Sequence, residues 1–122
     1  MNPEIKQRWA AALLSGKYAQ TRYVMYRHWW PASDVKLPNE EFCVIGVLYD
    51  LMFQELYGST LAKEYAKSDT KLWQEYGQAM NKWAGLTDED WGVGPGLPAR
   101  AQEKNDSGVD FSALAQFIME AA

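Results

Sequence analysis

Apolar residues recur at helical spacing over much of this chain, and they predict four helices. The densest apolar block, residues 42–51, reads FCVIGVLYDL and lies within a longer apolar stretch, residues 39–57. Asn39 is a good N-cap for this second helix, and Glu40 and Glu41 would favour its dipole in the first turn. Because apolar residues extend almost around the helix, we expect it to be the buried centre of the fold.

Gly46 lies in the middle of this apolar block, where glycine costs about 1 kcal/mol of helix propensity relative to alanine. We predict that another backbone passes too close to this part of the helix for a side chain to fit. Gly58 would end the helix, because glycine readily adopts the left-handed conformation that follows many helix C-termini.

Three further segments have the same helical spacing. The first helix is expected between Asn2 and Ser15, the third from residues 68–69 to Ala84, and the last after Asp110. Asn, Ser and Asp are favoured N-caps, which supports these starting points. The residues expected to face the core are Ile5, Trp9, Ala12, Leu13, Leu72, Trp73, Tyr76, Met80, Trp83, Phe111, Leu114, Ala115, Phe117 and Ile118.

The segments between these helices follow other patterns. Aromatic and β-branched residues predict a short β-hairpin or single strand near residues 18–30. Residues 59–69 suit one helical turn at most, and a capping-box pattern at residues 87–90 predicts a short turn. Residues 92–109 contain four glycines and two prolines, so we expect the longest irregular loop there, a candidate functional segment. The predicted fold class is mainly α, with α+β as the alternative, in one domain over residues 1–122.

Composition excludes several classes of function. The net charge is −4, distributed as +4 over residues 1–36, −3 over residues 37–87 and −5 over residues 88–122. This overall acidity argues against a nucleic-acid partner. Cys43 is the single cysteine, which excludes an intrachain disulfide, and no apolar run approaches the roughly 20 residues that span a bilayer. We therefore expect a soluble, cytoplasmic protein with no membrane partner.

Three segments carry a resemblance that covers nearly the whole chain. They are WAAALLSGKYAQ at residues 9–20, FCVIGVLYDL at residues 42–51 and NDSGVDFSALAQFI at residues 105–118. Together they resemble a family of small uncharacterised proteins encoded by phages, prophages and their bacterial hosts. The shared motifs are W-x-x-A-L-x-S-G-K-Y, C-x-x-G-V-L-x-D-L and N-D-x-G-x-x-F. The resemblance implies a small α-rich fold and a phage-type context, but no assigned activity and no functional residue.

In the family this segment carries three cysteines, and the chain departs from it at the first and the last of them. Phe42 stands at the first position and Tyr49 at the last, and neither can take the place of a thiol as a metal ligand or in a disulfide. Residues 20–40 and 92–104 also match poorly. These departures argue that no cysteine chemistry is preserved in this chain.

Residues suited to catalysis or metal binding are few. His28 is the only histidine and has no nucleophile motif beside it, while Cys43 is expected to be a buried thiol. Zinc requires several nitrogen or sulfur ligands. The oxygen donors near Gly108 lack the bidentate glutamate of an EF-hand; they are Asn105, Asp106, Ser107 and Asp110. We predict no catalytic residue, no metal site and no cofactor.

The best candidate for binding is the segment RYVMYRHWW, residues 22–30. Its candidate binding residues are Arg22, Tyr23, Tyr26, Arg27, His28, Trp29 and Trp30. Trp, Tyr and Arg dominate protein hot spots, and the same residue types can grip a phosphate and stack on a base. The alternative is that half of these aromatic residues pack inward on the central helix while the arginines only solvate an edge.

Three functional hypotheses follow from these observations. The first is a non-enzymatic phage or prophage protein that antagonises a host defence by occupying a host protein, in the cytoplasm of the bacterial host. The second is a protein that sequesters a small anionic nucleotide signal, for which a homo-oligomer would often form the pocket. The third is an enzyme using carboxylates such as Asp50, Glu55 or Asp90, although nothing in their spacing singles them out.

Overall fold

The computed structural model describes residues 1–28, 40–67, 72–92 and 94–121, with the backbone alone described for His28, Lys67 and Trp73. These ranges contain six α-helices, one 3₁₀ helix and a two-stranded antiparallel sheet. In chain order the elements are α1 (Pro3–Leu14), β1 (Tyr26–His28), β2 (Glu40–Phe42), α2 (Val44–Tyr57), α3 (Leu61–Lys67), α4 (Leu72–Ala84), the 3₁₀ helix (Asp88–Asp90), α5 (Leu97–Asp106) and α6 (Phe111–Glu120). The predicted mainly α class with a short strand element is confirmed.

The small sheet fixes the position of residues 19–28 relative to the start of α2. Tyr26 pairs with Phe42 and His28 with Glu40, in antiparallel register. On its other side, Phe42 exchanges backbone hydrogen bonds with Ala19 and Thr21 at 2.8 and 2.9 Å. These bonds occupy the backbone groups of β2 from both sides, which holds the entry to α2 in place.

The start of the central helix differs from the prediction. Glu40 and Glu41 belong to β2 rather than to a first helical turn, and α2 begins only at Val44. Cys43 is its N-cap, and the Cys43 sulfur accepts a hydrogen bond from the Gly46 N–H at 3.3 Å. Pairing with β1 therefore outweighs the helix signal of the two glutamates. The predicted cap, Asn39, lies outside the described residues.

The prediction of an irregular loop over residues 92–109 is wrong, because α5 occupies residues 97–106. Pro98 lies in the first turn of α5, where a helix needs no N–H from it. Good helix formers follow, including Gln102, whose amide donates to Asp106 one turn later at 2.9 Å. The segment after α2 is likewise more ordered than expected, since α3 extends over seven residues.

The prediction that α2 is the buried centre is confirmed. Every residue from Val44 to Asp50 is buried, as are Met52 and Phe53. Gly46 is also explained, because an added Cβ would lie 2.2 Å from the carbonyl oxygen of Met25. The backbone before β1 thus passes directly over the first turn of α2.

The first helix contacts α2 and the end of α6 through side-chain hydrogen bonds. The buried Trp9 donates its indole N–H to the carbonyl of Val44 at 2.9 Å. Lys6 donates to the carbonyl of Ala121, beyond the end of α6, so the start of α1 lies beside the end of α6. The predicted caps Asn2 and Asp110 are confirmed, since each side chain accepts a backbone N–H of its own helix at 2.9 Å. Specific hydrogen bonds, as well as apolar packing, therefore hold α1 against α2 and the end of α6.

Two glycine substitutions test the close approach of the Met25 backbone to Gly46. Gly46→Ala should lower the free energy of unfolding by roughly 3 kcal/mol, because a methyl group there collides with a backbone that cannot rotate away. Gly77 is the matched control: it lies inside α4 with nothing within 4 Å of an added Cβ. Gly77→Ala should therefore raise stability by about 0.5–1 kcal/mol through helix propensity. Chemical denaturation would measure both changes, and equal effects would contradict the packing described.

Candidate functional site

An exposed tyrosine stands out on the surface in front of β1. Tyr23 is 79% exposed, its neighbour Val24 is 42% exposed, and Arg22 is exposed beside them. Tyr23 has a φ of 69°, the single positive φ among the described non-glycine residues. Bulky residues rarely adopt this conformation, and they cluster at functional sites when they do. We refer to residues 22–24 as the Tyr23 tip.

Contacts to α5 and its C-terminal turn hold the Tyr23 tip. The backbone N–H of Tyr23 donates to Asp106 Oδ1 at 2.8 Å, and Arg22 reaches the carbonyl of Gly108 at 3.4 Å. The carboxylate of Asp106 also accepts from the amides of Gln102 and Asn105. A charged acceptor with several donors is a strong anchor, and it can hold the tip in a strained backbone conformation.

The next residue, Asn105, connects this anchor to the core. Its side chain is fully buried, and Oδ1 accepts from the N–H of Val44 at 3.1 Å and from Gln20 at 3.0 Å. Its Nδ2 donates to the carbonyl of Thr21 at 2.9 Å. One amide thus fixes the end of α5, the start of α2 and the residue immediately before the tip.

A groove of about 940 Å³ lies beside the Tyr23 tip. Its walls come from the tip, α4, the turn around the 3₁₀ helix and α5, and the first turn of α2 closes one side. The lining includes the aromatic rings of Tyr49, Tyr65 and Trp91 and the carboxylates of Asp88, Glu103 and Asp106. This size is within the range of ordinary ligand pockets.

Cys43 also lines this groove, but it is not poised to react. The residue is 1% exposed, and burial raises the pKa of its thiol to about 11. Its sulfur lies 3.4 Å from the Gln102 side-chain oxygen, to which the thiol can donate. The predicted buried, structural thiol is confirmed.

The structure separates the residues of the predicted binding segment. Tyr26 is buried, with its ring 5.2 Å from that of Phe42 and 5.3 Å from that of Tyr65. The guanidinium of Arg27 forms an ion pair with Glu41 at 2.9 Å. Arg22 and Tyr23 are exposed in the tip, and among the predicted residues whose side chains the structure describes, only Tyr23 lines the groove. The side chain of His28 and all of Trp29 and Trp30 lie outside the described residues.

The three carboxylates considered for catalysis each have structural partners. Asp50 is buried and accepts from the Tyr18 hydroxyl at 2.5 Å and the Leu61 N–H at 2.8 Å. Burial, followed by the contact with Asp50, raises the pKa of Tyr18 far above its usual value. Glu55 accepts from Arg8 and from the Trp83 indole, while Asp90 completes the predicted capping box. These contacts give each carboxylate a role in the fold.

The oxygen donors near Gly108 also have structural roles. Asn105 and Asp106 make the contacts described above, and Asp110 caps α6. Within the part of the chain that the structure describes, no group of three His, Cys, Asp or Glu residues could hold a metal ion.

Sequence reasoning missed the carboxylates and amides of the groove. It placed Gln102, Glu103 and Asp106 in an irregular segment and considered Asp106 only as an oxygen donor. For the Asp88-Glu89-Asp90 cluster it preferred a helix terminus over pairing with a basic partner. A usable signal was present, because Ala99, Gln102, Glu103 and Asp106 follow Pro98 at the spacing of one helix face. The glycines and prolines just before this segment hid it.

Comparison with known proteins places the chain in a family. The fold and site define a small, mainly α protein with an exposed tyrosine tip beside an acidic groove. The chain belongs to the family described as Domain of unknown function (DUF8296), which matches residues 1–122. No curated protein and no solved structure matches it significantly. Across the described ranges, no helix has the length and apolar character needed to cross a membrane.

The anchor of the tip can be tested by hydrogen exchange. Asp106→Ala should increase amide exchange at Tyr23 by tenfold or more, because its N–H loses a charged acceptor. The amide of Val44 should stay protected, since Asn105 still binds it. Asp110→Ala is the control: it removes another carboxylate that accepts a backbone N–H, at a cost of about 1 kcal/mol. Faster exchange at Tyr23 in both variants would show that Asp106 is not the specific anchor.

The thiol of Cys43 provides a second test. At pH 8 a pKa of about 11 leaves roughly one thiol in a thousand ionised, and the thiolate is the reactive form. Reaction with an aromatic disulfide reagent should therefore be at least about 100-fold slower in the native protein than in denaturant. Native labelling at the rate of the unfolded chain would mean that Cys43 is accessible.

Proposed function

We propose that this protein is a non-enzymatic binding protein that acts by occupying a partner protein, with the Tyr23 tip at the centre of the contact. The observation that carries this proposal is the 79% exposed Tyr23 in a left-handed backbone conformation. A fold tolerates such a residue only where surrounding contacts impose the conformation, and Asp106 supplies that contact.

The composition of the tip supports a protein partner. Tyrosine and arginine are enriched among the residues that contribute most to protein binding. Tyr23, Arg22 and Val24 together offer an aromatic ring, a guanidinium and an apolar side chain on one short segment. A backbone already held in one conformation loses little conformational entropy on binding, which favours affinity.

Sequestration of a nucleotide has less support from the geometry. An anionic ligand needs donors, yet Arg27 is paired with Glu41 and Arg22 points to the carbonyl of Gly108. The groove next to the tip carries carboxylates, which would repel a phosphate. The hypothesis that fits best is therefore binding of a protein.

The phage-type resemblance suggests which partner to test first. Small phage and prophage proteins that occupy a host protein are a natural class of host-defence antagonist. We propose that the partner is a defence component in the cytoplasm of the bacterial host. The resemblance provides the context for this step, and the exposed tip provides the surface.

One substitution can separate binding from folding. Tyr23→Asn keeps a residue type that tolerates positive φ and removes the ring. We expect it to raise the free energy of unfolding by about 1 kcal/mol and to weaken binding about 30-fold, as loss of a hot spot of about 2 kcal/mol would. Quantitative affinity capture from host lysate should show a partner enriched by the wild type and depleted by this variant.

The matched control is Tyr57→Ala, which removes another half-exposed tyrosine, at the end of α2. It should leave capture unchanged. The proposal fails if no protein is enriched by the wild type at micromolar affinity, or if Tyr23→Asn captures the same partner as strongly. Turnover of a substrate by the purified protein would also overturn it.

A further inference from the structure

We propose that the groove beside the Tyr23 tip receives a basic side chain of the partner, a lysine ammonium or an arginine guanidinium. This inference rests on the proposed binding function and specifies the chemistry of the partner's contact segment. The groove has a volume of about 940 Å³. That volume exceeds the needs of one side chain and can admit the neighbouring residues of an extended segment.

The acidic and basic side chains of α5 lie on different sides of the helix. Gln102, Glu103 and Asp106 line the groove, so this side offers oxygen acceptors and negative charge. Arg100 and Lys104 lie instead over the ring of Phe117 on α6, each 4.9 Å from its centroid. The two cations of this helix are therefore held on the α6 side, and they do not neutralise the carboxylates of the groove.

The 3₁₀ helix adds a third carboxylate, that of Asp88, to the lining of the groove. Asp88 accepts from the amide of Asn81 at 2.8 Å, and Asn81 in turn accepts from the Trp91 indole at 2.5 Å. The first of these hydrogen bonds holds the Asp88 carboxylate in place. Carboxylates supplied by two separate elements suit a guanidinium or an ammonium placed between them.

The remaining lining suits the same occupant. Tyr65 and Trp91 are half-buried aromatic residues of the lining, and cations are attracted to the faces of such rings. Tyr49 also lines the groove, but at 1% exposure it contributes to the packing beneath it. The aliphatic stem of lysine or arginine can pack on apolar lining while its charged end reaches the carboxylates.

The charge of the lining also discriminates among partners. Among the described residues that line the groove, none is Lys, Arg or His. A basic segment is thus attracted and an acidic one repelled, which gives selectivity as well as attraction. The exposed Arg22 lies at the edge of this surface rather than in it.

The first test uses probes without any partner protein. N-acetyl-arginine amide should bind with a dissociation constant on the order of 1 mM, monitored by NMR shifts of the Trp91 indole N–H and the backbone amides of α5. N-acetyl-citrulline amide has the same shape without the charge and should bind at least about tenfold more weakly. Equal binding of the two probes, or shifts confined to other surfaces, would overturn the inference.

A pair of double variants tests the carboxylates. Asp88→Asn with Glu103→Gln removes two charges from the groove and keeps the acceptor oxygens. We expect it to weaken N-acetyl-arginine amide binding about tenfold. Glu89→Gln with Glu120→Gln is the control, because it changes the net charge equally at exposed residues that do not line the groove. Asp106 is left intact in both variants, since it anchors the tip.

The same variants separate this inference from the proposed function. One outcome is a captured partner that depends on Tyr23 and yet binds the groove variant as tightly as the control variant. That result would support the binding function and refute the inference that the groove receives a basic side chain. Where no partner is captured but the arginine probe binds and discriminates against citrulline, the groove chemistry stands and the proposed function fails. A groove variant that loses both probe and partner supports the two together.

Discussion

The buried amide of Asn105 is the constraint on which the arrangement of this protein depends. It accepts the otherwise unpaired N–H of Val44 at the start of the central helix and donates to the carbonyl of Thr21. A buried polar group left without these partners would be costly. The end of α5, the first turn of α2 and the segment before the tip must therefore keep fixed positions relative to one another. These positions decide where the Tyr23 tip and the groove lie.

The three motifs behind the family resemblance meet at this junction. The first contributes Trp9, which binds the carbonyl of Val44, and Gln20, which binds Asn105. The second contributes the Cys43 cap and Gly46, where the backbone of residue 25 passes. The third contributes Asn105 itself. Hydrogen bonding and close packing thus account for these motif residues. The three motif segments supply the contacts that hold the Tyr23 tip and the groove in place.

Sequence reasoning reached the features that depend on local chemistry. The buried central helix, the caps of α1 and α6 and the close approach at Gly46 follow from spacing, side-chain type and the absence of a Cβ. It failed at β2 and α5, because pairing with β1 overrides the helix signal of Glu40 and Glu41, and glycines conceal the start of α5. The sequence offered the exposure of Tyr23 as one of two alternatives. It could not predict the groove, because that prediction depends on residues 99–106 forming one helix.

Asp106 connects the tip to the groove, and the two form a single surface. Asp106 holds the N–H of Tyr23 and also contributes its carboxylate to the groove lining. An occupant that draws on this carboxylate competes with the amides of Gln102 and Asn105 as well as with the backbone of the tip. A basic side chain that binds mainly Asp88 and Glu103 avoids this competition and leaves the strained conformation of Tyr23 in place. In the proposed complex, the partner's cation therefore binds Asp88 and Glu103 while an apolar pocket of the partner covers the tyrosine ring.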